Sequence, residues 1–211
     1  MNEVLRQIEQ IGLVPVVKID RAEDAVPLAQ ALCDGGLPCA EVTFRTAAAE
    51  EAIKAMTKAF PETLVGAGTV LTPAQADKAM QAGAKFIVSP GLSSAVVQHC
   101  LEQGYPIAPG VATPSEVEQA LSFGLDVVKF FPAEAAGGIG MIQAMAAPYG
   151  NLKFMPTGGI NPGNLADYLA VPEIVCCGGT WIVPKAALAA GDWDQIGRLA
   201  AEAAAMVAKR G

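Results

Sequence analysis

A single lysine stands inside a run of residues that otherwise predicts a fully buried strand. The run is V-V-K-F-F-P-A-E, residues 127–134, and its lysine is Lys129. Burial disfavours the charged form of an amine, and a neutral amine can attack a ketone and form a Schiff base. The run therefore indicates a site of covalent catalysis. The alternative interpretation is a structural lysine whose ammonium group reaches solvent from the end of a strand.

A second polar group of residues lies on the segment C-A-E-V-T-F-R-T, residues 39–46. Side chains two positions apart share one face of a strand, so Glu41, Thr43 and Arg45 lie on the same side. A carboxyl such as Glu41 can move protons, and the planar guanidinium of Arg45 is suited to binding a carboxylate. The alternative is a structural Glu–Arg pair inside the fold.

Glycine-rich segments predict places where the backbone itself binds a ligand. Gly66 and Gly68 in G-A-G-T-V allow close approach of the backbone, and Thr69 adds a hydroxyl group. Two further segments, P-T-G-G-I-N-P and C-C-G-G-T-W, expose backbone N–H groups that suit a phosphate; the alternative is that they are ordinary turns. Their paired glycines are Gly158, Gly159, Gly178 and Gly179.

The elements that position these residues alternate between short strand-like runs and amphipathic, alanine-rich helical runs. The predicted strands are 13–18, 39–44, 64–68, 86–90, 107–110, 127–131, 154–158 and 174–178. The predicted helices are 22–34, 47–59, 73–82, 93–103, 114–123, 139–147, 162–169 and 193–208. Thr72, Thr113 and Asn161 each precede a proline and predict helix starts.

This alternation predicts an α/β fold, a (β/α)8 TIM barrel formed as one domain by residues 1–211. A doubly wound open sheet is the alternative. Residues 2–11 predict an extra N-terminal helix that closes the bottom of the barrel. In TIM barrels, active sites lie at the C-terminal ends of the strands, where the polar residues described above occur.

Composition excludes several classes of protein. A net charge of −7 with scattered basic residues argues against nucleic-acid binding. No apolar run is long enough to cross a membrane and no signal region is visible at the N-terminus, so we expect a cytoplasmic protein. The five cysteines lack metal-ligand spacing and His99 is the only histidine, which predicts core thiols and no metal site.

Together these residues predict a 2-keto acid substrate with an anionic group at its far end. Lys129 attacks the ketone, Glu41 moves protons, Arg45 and Thr69 hold the carboxylate, and the two glycine pairs bind the distal phosphate or other anion. The iminium formed on the lysine is the electron sink, so the chemistry requires no metal or cofactor.

The chain resembles the 2-keto-3-deoxy-6-phosphogluconate (KDPG) aldolase family, whose members are also called 4-hydroxy-2-oxoglutarate (KHG) aldolases. The resemblance extends from about residue 13 to the C-terminal helix. It is carried by E-V-T-F-R-T, G-A-G-T-V, F-I-V-S-P-G, V-K-F-F-P-A-E, P-T-G-G-I and G-G-T-W, which occur in this order along the chain.

The resemblance implies a class I aldolase of the Entner–Doudoroff type of sugar-acid catabolism. It implies that Lys129 is the Schiff-base lysine and Glu41 the general acid and base, and that members form homotrimers of TIM barrels. It also implies a set of substrate-binding residues: Arg45 and Thr69 on the pyruvate carboxylate, Pro90 and Phe131 lining the substrate, and Gly158, Gly159, Gly178, Gly179 and Thr180 at the phosphate.

Several alternatives stay open. Lys18 also ends a strand-like run and is a competing nucleophile, although neighbouring Asp20 and Arg21 predict an exposed loop. The chain is alternatively a barrel enzyme of another type that binds phosphate, such as an isomerase or a thiamine-phosphate-synthase-like transferase, or a barrel without activity. Thr180 stands where some relatives have serine, and the preferred substrate is undetermined.

Overall fold

The computed structural model describes residues 1–209, in which helices alternate with short parallel strands. The strands are β1 Leu13–Val17, β2 Cys39–Thr43, β3 Leu64–Gly68, β4 Ile87–Val88, β5 Ile107–Ala108, β6 Gly110–Val111, β7 Val127–Phe130, β8 Lys153–Pro156 and β9 Cys177–Gly179. The helices are α1 Glu3–Ile11, α2 Ala25–Asp34, α3 Ala49–Ala59, α4 Pro73–Gln81, α5 Ser94–Gln103, α6 Pro114–Ser122, α7 Gly138–Ala146, α8 Leu165–Leu169, α9 Lys185–Ala190 and α10 Trp193–Val207.

The strands form two parallel sheets that face a common interior. The six-stranded sheet has the order β5-β4-β3-β2-β1-β9, and the three-stranded sheet has the order β6-β7-β8. Val14, Cys39 and Val88 from the larger sheet form one apolar cluster with Val127 and Met155 from the smaller sheet. Because both sheets contribute to this cluster, the parallel sheet curls around it. The predicted α/β class is confirmed.

The predicted strands five and eight differ from those in the structure. Strand five is divided into β5 and β6 by Pro109, which has no N–H to donate to a neighbouring strand. The Pro109 carbonyl still accepts a hydrogen bond from the backbone N–H of Lys129 at 2.9 Å. Strand eight is reduced to an isolated bridge at Ile174 followed by β9.

The predicted N-terminal helix is present as α1. The Asn2 side chain accepts a hydrogen bond from the backbone N–H of Leu5, and Gly12 ends the helix in the left-handed conformation. Leu5 and Ile8 are buried in the same apolar cluster as Val14. Helix α1 therefore covers the interior at the end where the strands begin, opposite the predicted active site.

The predicted helix starts at Thr72 and Thr113 are confirmed, because each side chain accepts a hydrogen bond from a first-turn N–H. The predicted start at Asn161 is wrong: α8 begins at Leu165. The side chains of Asn161 and Asn164 hydrogen-bond backbone N–H groups of the segment itself and hold it as a turn. Helix α9 was not predicted.

The other structural expectations concern membranes and thiols. Across residues 1–209, none of the helices is both long and apolar enough to cross a membrane. Cys39 and Cys100 are free thiols buried in the interior, as the composition predicted.

Candidate active site

A buried ion pair lies inside the curled sheet. Lys129 on β7 and Glu41 on β2 come from the two different sheets, and the Lys129 Nζ donates to Glu41 Oε1 at 3.2 Å. The side chains are only 6% and 1% exposed, respectively. Alternation along each strand aims both side chains inward, above the apolar cluster. An amine and a carboxyl group are thus held at proton-transfer distance and shielded from bulk water.

Two buried side-chain oxygens lack hydrogen-bond partners among residues 1–209: the Oε2 of Glu41, which belongs to this pair, and the Oγ1 of Thr157, which directly follows β8. Unsatisfied buried oxygens are costly, and in a native protein such atoms commonly meet a ligand or water. Thr157 lies within the P-T-G-G-I motif, and no role was predicted for it. The sequence did carry a signal that Thr157 faces the interior. Thr157 lies two residues after Met155, which is buried in the interior, and side chains two positions apart on a strand share one face.

Gly68 makes room for the Glu41 carboxylate. A methyl group at Gly68 would overlap Oε1 of Glu41 and lie 2.7 Å from its Cδ. A methyl group at Gly66 would likewise overlap the ring of Phe86. These glycines were interpreted as places where backbone approaches a ligand, but the structure fills the space above both with side chains. The carboxylate is therefore positioned by the shape of β3 as well as by its ion pair.

Phe131 is two residues after Lys129, and Lys129 Nζ lies 5.4 Å from the centre of the Phe131 ring, within the range of a cation–π contact. Pro90 is half-buried shortly after β4, and its carbonyl lies against Gly110, where a side chain would clash.

Thr69 has a φ of 55°, an uncommon conformation for a threonine. Strained backbone of this kind concentrates at functional sites.

Arg45 and Thr180 are exposed and line the same pocket, of about 270 Å³, at the rim of the sheet. The residues that line this pocket do not include Lys129 or Glu41. The structure therefore brings Arg45 and Thr180 together at the rim and places the lysine–carboxylate pair in the interior. Lys18 lines the rim pocket too, and its Nζ lies 2.5 Å from Asp20 Oδ1. Lys18 is thus an exposed, paired lysine, whereas Lys129 is buried.

Gly158 and Gly159 form a loop in the left-handed backbone conformation. The φ angles are 103° and 85°, which favour glycine. Glu134 holds this loop: its N–H donates to the Gly158 carbonyl at 3.0 Å, and its side chain packs where a Cβ of Gly159 would stand. The Tyr168 hydroxyl donates to the Glu134 carboxylate, and burial together with this bond raises the pKa of Tyr168.

Gly178 and Gly179 differ from that loop, because both are buried within β9. A methyl group at Gly178 would overlap the Thr157 hydroxyl, and one at Gly179 would overlap the Trp181 ring. Close packing by Thr157 and Trp181 therefore accounts for these two glycines.

No group of three or more His, Cys, Asp and Glu side chains within residues 1–209 is arranged to hold a metal ion. The buried polar residues within 1–209 include Lys129 and Glu41, and this lysine–glutamate pair suits covalent and acid–base chemistry.

A buried lysine–carboxylate pair inside a curled parallel α/β fold is the type of site that Schiff-base aldolases use. The sequence model of the family "KDPG and KHG aldolase" matches residues 3–199. A 2-dehydro-3-deoxy-phosphogluconate aldolase of Treponema pallidum is 53% identical over 196 residues, which cover 93% of each chain. The chain therefore belongs to the KDPG and KHG aldolase family, and the resemblance stated from the sequence is confirmed.

Two solved structures are similar over nearly the whole chain. A KDPG aldolase of Legionella pneumophila, with pyruvate captured as a covalent carbinolamine intermediate, has a TM-score of 0.90 and 41% identity over 93% of this chain and 96% of that one. The 2-keto-3-deoxy-6-phosphogluconate aldolase of Zymomonas mobilis, with 3-phosphoglycerate, has a TM-score of 0.88 and 43% identity over 96% and 97% of the two chains.

Proposed function

We propose that this protein is a class I aldolase, an aldehyde-lyase that cleaves 2-keto-3-deoxy-6-phosphogluconate to pyruvate and glyceraldehyde 3-phosphate. 4-Hydroxy-2-oxoglutarate, which yields pyruvate and glyoxylate, is a substrate of the same chemistry. The observation that carries the proposal is the buried pair of Lys129 and Glu41, with 3.2 Å between Nζ and Oε1. Pyruvate bound covalently as a carbinolamine in the Legionella relative supports a Schiff-base mechanism.

The first half of the reaction builds the iminium. The Lys129 ammonium passes a proton to Glu41, and the neutral amine adds to the C2 ketone to form a carbinolamine. Glu41 then protonates the leaving hydroxyl group, water departs and an iminium remains. The short distance within the pair and its burial make this exchange of a proton direct.

The second half breaks the carbon–carbon bond. Glu41, directly or through a water molecule, removes the proton of the C4 hydroxyl group, the C3–C4 bond cleaves and the aldehyde leaves. The electrons of that bond are held in the enamine, which takes a proton at C3 from Glu41. Hydrolysis of the resulting iminium frees pyruvate and restores the lysine.

The remaining site residues bind the two ends of the substrate. Arg45 and Thr69 hold the pyruvate carboxylate, because a guanidinium and a hydroxyl group are good donors to it. Pro90 and Phe131 line the reacting carbons, and Phe131 already contacts the lysine. The distal anion lies at the loop of Gly158 and Gly159 and at the end of β9, where the buried Gly178 and Gly179 lead to the exposed Thr180.

Borohydride trapping with pyruvate tests this function. Reduction of the iminium leaves a stable covalent adduct, and mass spectrometry of the digested protein is expected to locate it on Lys129. Lys129→Ala is expected to abolish both the adduct and pyruvate release, whereas Lys18→Ala retains the adduct. An adduct mapped to Lys18, or a full yield of adduct in Lys129→Ala, would falsify the assignment.

The two sheets are proposed to be parts of one closed (β/α)8 barrel. Only Pro109 separates β5 from β6, and the backbone N–H of Lys129 donates to its carbonyl. Bridges join Phe154 to Ile174 and Thr157 to Gly178 on the other side, between β8 and β9. The family resemblance further supports a single domain, a homotrimer, a cytoplasmic location and a place in sugar-acid catabolism of the Entner–Doudoroff type.

A further inference from the structure

Two threonines flank Arg45 in the segment E-V-T-F-R-T, and the proposed mechanism uses neither of them. Thr43 is the buried last residue of β2, and Thr46 lies between β2 and α3. The Thr43 hydroxyl donates to the carbonyl of Val17, the last residue of β1, at 3.0 Å. The Thr46 hydroxyl donates to the carbonyl of Ile19, just beyond β1, at 2.5 Å. The two bonds therefore join the chain on either side of Arg45 to the end of the neighbouring strand.

These hydroxyls act where the regular pairing of β1 with β2 has ended. The last pair of that register is Val17 with Val42. On its other side β2 remains joined to β3, because the N–H of Phe44 donates to the Gly68 carbonyl at 2.7 Å. The segment that carries Arg45 is thus held toward β3 by a backbone hydrogen bond and toward the end of β1 by the threonine hydroxyls.

The carbonyls that accept the two threonine bonds belong to a well-packed part of the chain. Val17 and Ile19 are 2% and 0% exposed and lie in the main apolar core. Because closely packed interiors yield little, both carbonyls are fixed acceptors. The N–H of Arg45 also donates to the Thr43 carbonyl at 2.7 Å, so the chain turns sharply between the two threonines.

The side chain of Arg45 lacks support of this kind. It is exposed at the rim pocket, and within residues 1–209 its guanidinium has no hydrogen-bonded or ion-paired partner. An arginine side chain has many rotamers, so the position of its backbone determines where the guanidinium can reach. Binding a carboxylate through two parallel hydrogen bonds requires the guanidinium at a defined distance and angle. The backbone of Arg45 must therefore be held in place.

We propose that Thr43 and Thr46 are positioning residues for the pyruvate carboxylate, because their hydroxyls fix the backbone of Arg45 and Arg45 binds the carboxylate. The proposal rests on the proposed aldolase function, which gives Arg45 that role. Glu41 is paired with residues of both β1 and β3, so its position does not depend on either hydroxyl. Loss of a hydroxyl is therefore expected to weaken substrate binding and to leave the proton transfers unchanged.

Steady-state kinetics of pyruvate release from 2-keto-3-deoxy-6-phosphogluconate test the proposal. Thr43→Val and Thr46→Val keep the shape of the side chain but lose the hydroxyl. Each is expected to lower kcat/KM about fivefold, the scale of one hydrogen bond, through KM and with kcat changed less than about twofold. Thr43→Ser retains the hydroxyl and is expected to stay within about twofold of the wild-type protein.

The same changes in an Arg45→Gln background show whether the threonines act through Arg45. Arg45→Gln removes the guanidinium, so adding Thr43→Val or Thr46→Val is expected to lower kcat/KM by less than about twofold further. A fivefold loss that persists in this background would overturn the proposal. So would unchanged kcat/KM in both single variants, or a loss in Thr43→Ser as large as that in Thr43→Val.

Thr57→Val is the matched control. The Thr57 hydroxyl on α3 also bonds a carbonyl of a separate segment, that of Ala82 at 3.0 Å, at the opposite end of the sheet from the rim. Its loss is expected to leave kcat and KM unchanged, and an equal rise in KM there would also contradict the proposal.

Borohydride trapping with pyruvate separates this proposal from the aldolase function on which it rests. A wild-type protein that forms no adduct contradicts the aldolase function itself. An intact wild-type adduct, together with unchanged kcat/KM in Thr43→Val and Thr46→Val, contradicts only the positioning roles.

Discussion

The lysine–carboxylate pairs Lys129–Glu41 and Lys18–Asp20 lie near the same end of the sheet and differ in exposure. Lys129 and Glu41 are 6% and 1% exposed, whereas Lys18 and Asp20 are 43% and 59% exposed. Water screens the outer pair, so it contributes little stability and an anion can replace one partner. The inner pair is desolvated, and neither partner can be removed without leaving a buried charge. The inner pair therefore suits chemistry, whereas the outer pair is a solvated contact at the rim.

The largest expected effect is a loss of kcat at the inner pair, and it distinguishes a role in proton transfer from a role in substrate binding. Glu41→Gln keeps the shape of the side chain but removes proton transfer, so kcat is expected to fall about 10³-fold with little change in KM. Steady-state measurement of pyruvate release checks this. A loss confined to KM would contradict a role in proton transfer and would make Glu41 a binding residue like those at the rim.

The second prediction concerns stability. Lys129→Met leaves the Glu41 carboxylate buried without its partner, so the free energy of unfolding is expected to fall by about 3 kcal/mol. Combining Lys129→Met with Glu41→Leu removes both charges and is expected to restore most of that loss. Urea denaturation measures both variants. If Lys18→Met at the outer pair costs as much as Lys129→Met, the distinction between the pairs is wrong.

A third prediction tests the space that Gly68 provides. Gly68→Ala places a methyl group where the Glu41 carboxylate lies, and a displaced carboxylate is expected to lower kcat about 100-fold. Gly140→Ala on α7 is the control, because a methyl group there meets no atom within 4 Å. If Gly68→Ala retains full activity, the carboxylate does not depend on the shape of β3.

Local spacing was sufficient to predict the inner residues but not their contacts. Alternation along the strands predicts that Lys129 and Glu41 face inward, but the two residues are separated by 88 positions and only the fold brings them together. Strand ends were harder to predict, because they depend on hydrogen bonds between strands. The split at Pro109 and the turn at Asn161 are examples in which one residue changes the local bonding.

The sequence does not predict which atoms occupy the space next to a glycine. G-A-G and C-C-G-G predict close approach, but the pattern cannot tell a ligand from a neighbouring side chain, and Glu41 and Thr157 occupy the space at Gly68 and Gly178. Lys18 shows the converse: its exposure was predicted, whereas its place beside Thr180 follows from the order of β9, β1 and β2.

The smallest expected effect lies at the rim, on the loop that Glu134 supports. Tyr168→Phe removes the hydroxyl that donates to Glu134, so the loop at Gly158 and Gly159 loses part of its support. KM for the phosphorylated substrate is expected to rise about threefold with kcat unchanged, the scale of one hydrogen bond. Tyr149→Phe is the matched control, because Tyr149 also donates to a glutamate, Glu118, at 3.0 Å in an exposed contact. An equal rise in KM for 2-keto-3-deoxygluconate, which lacks the phosphate, would contradict this prediction, because it would show that the loop positions the whole substrate and not its phosphate end.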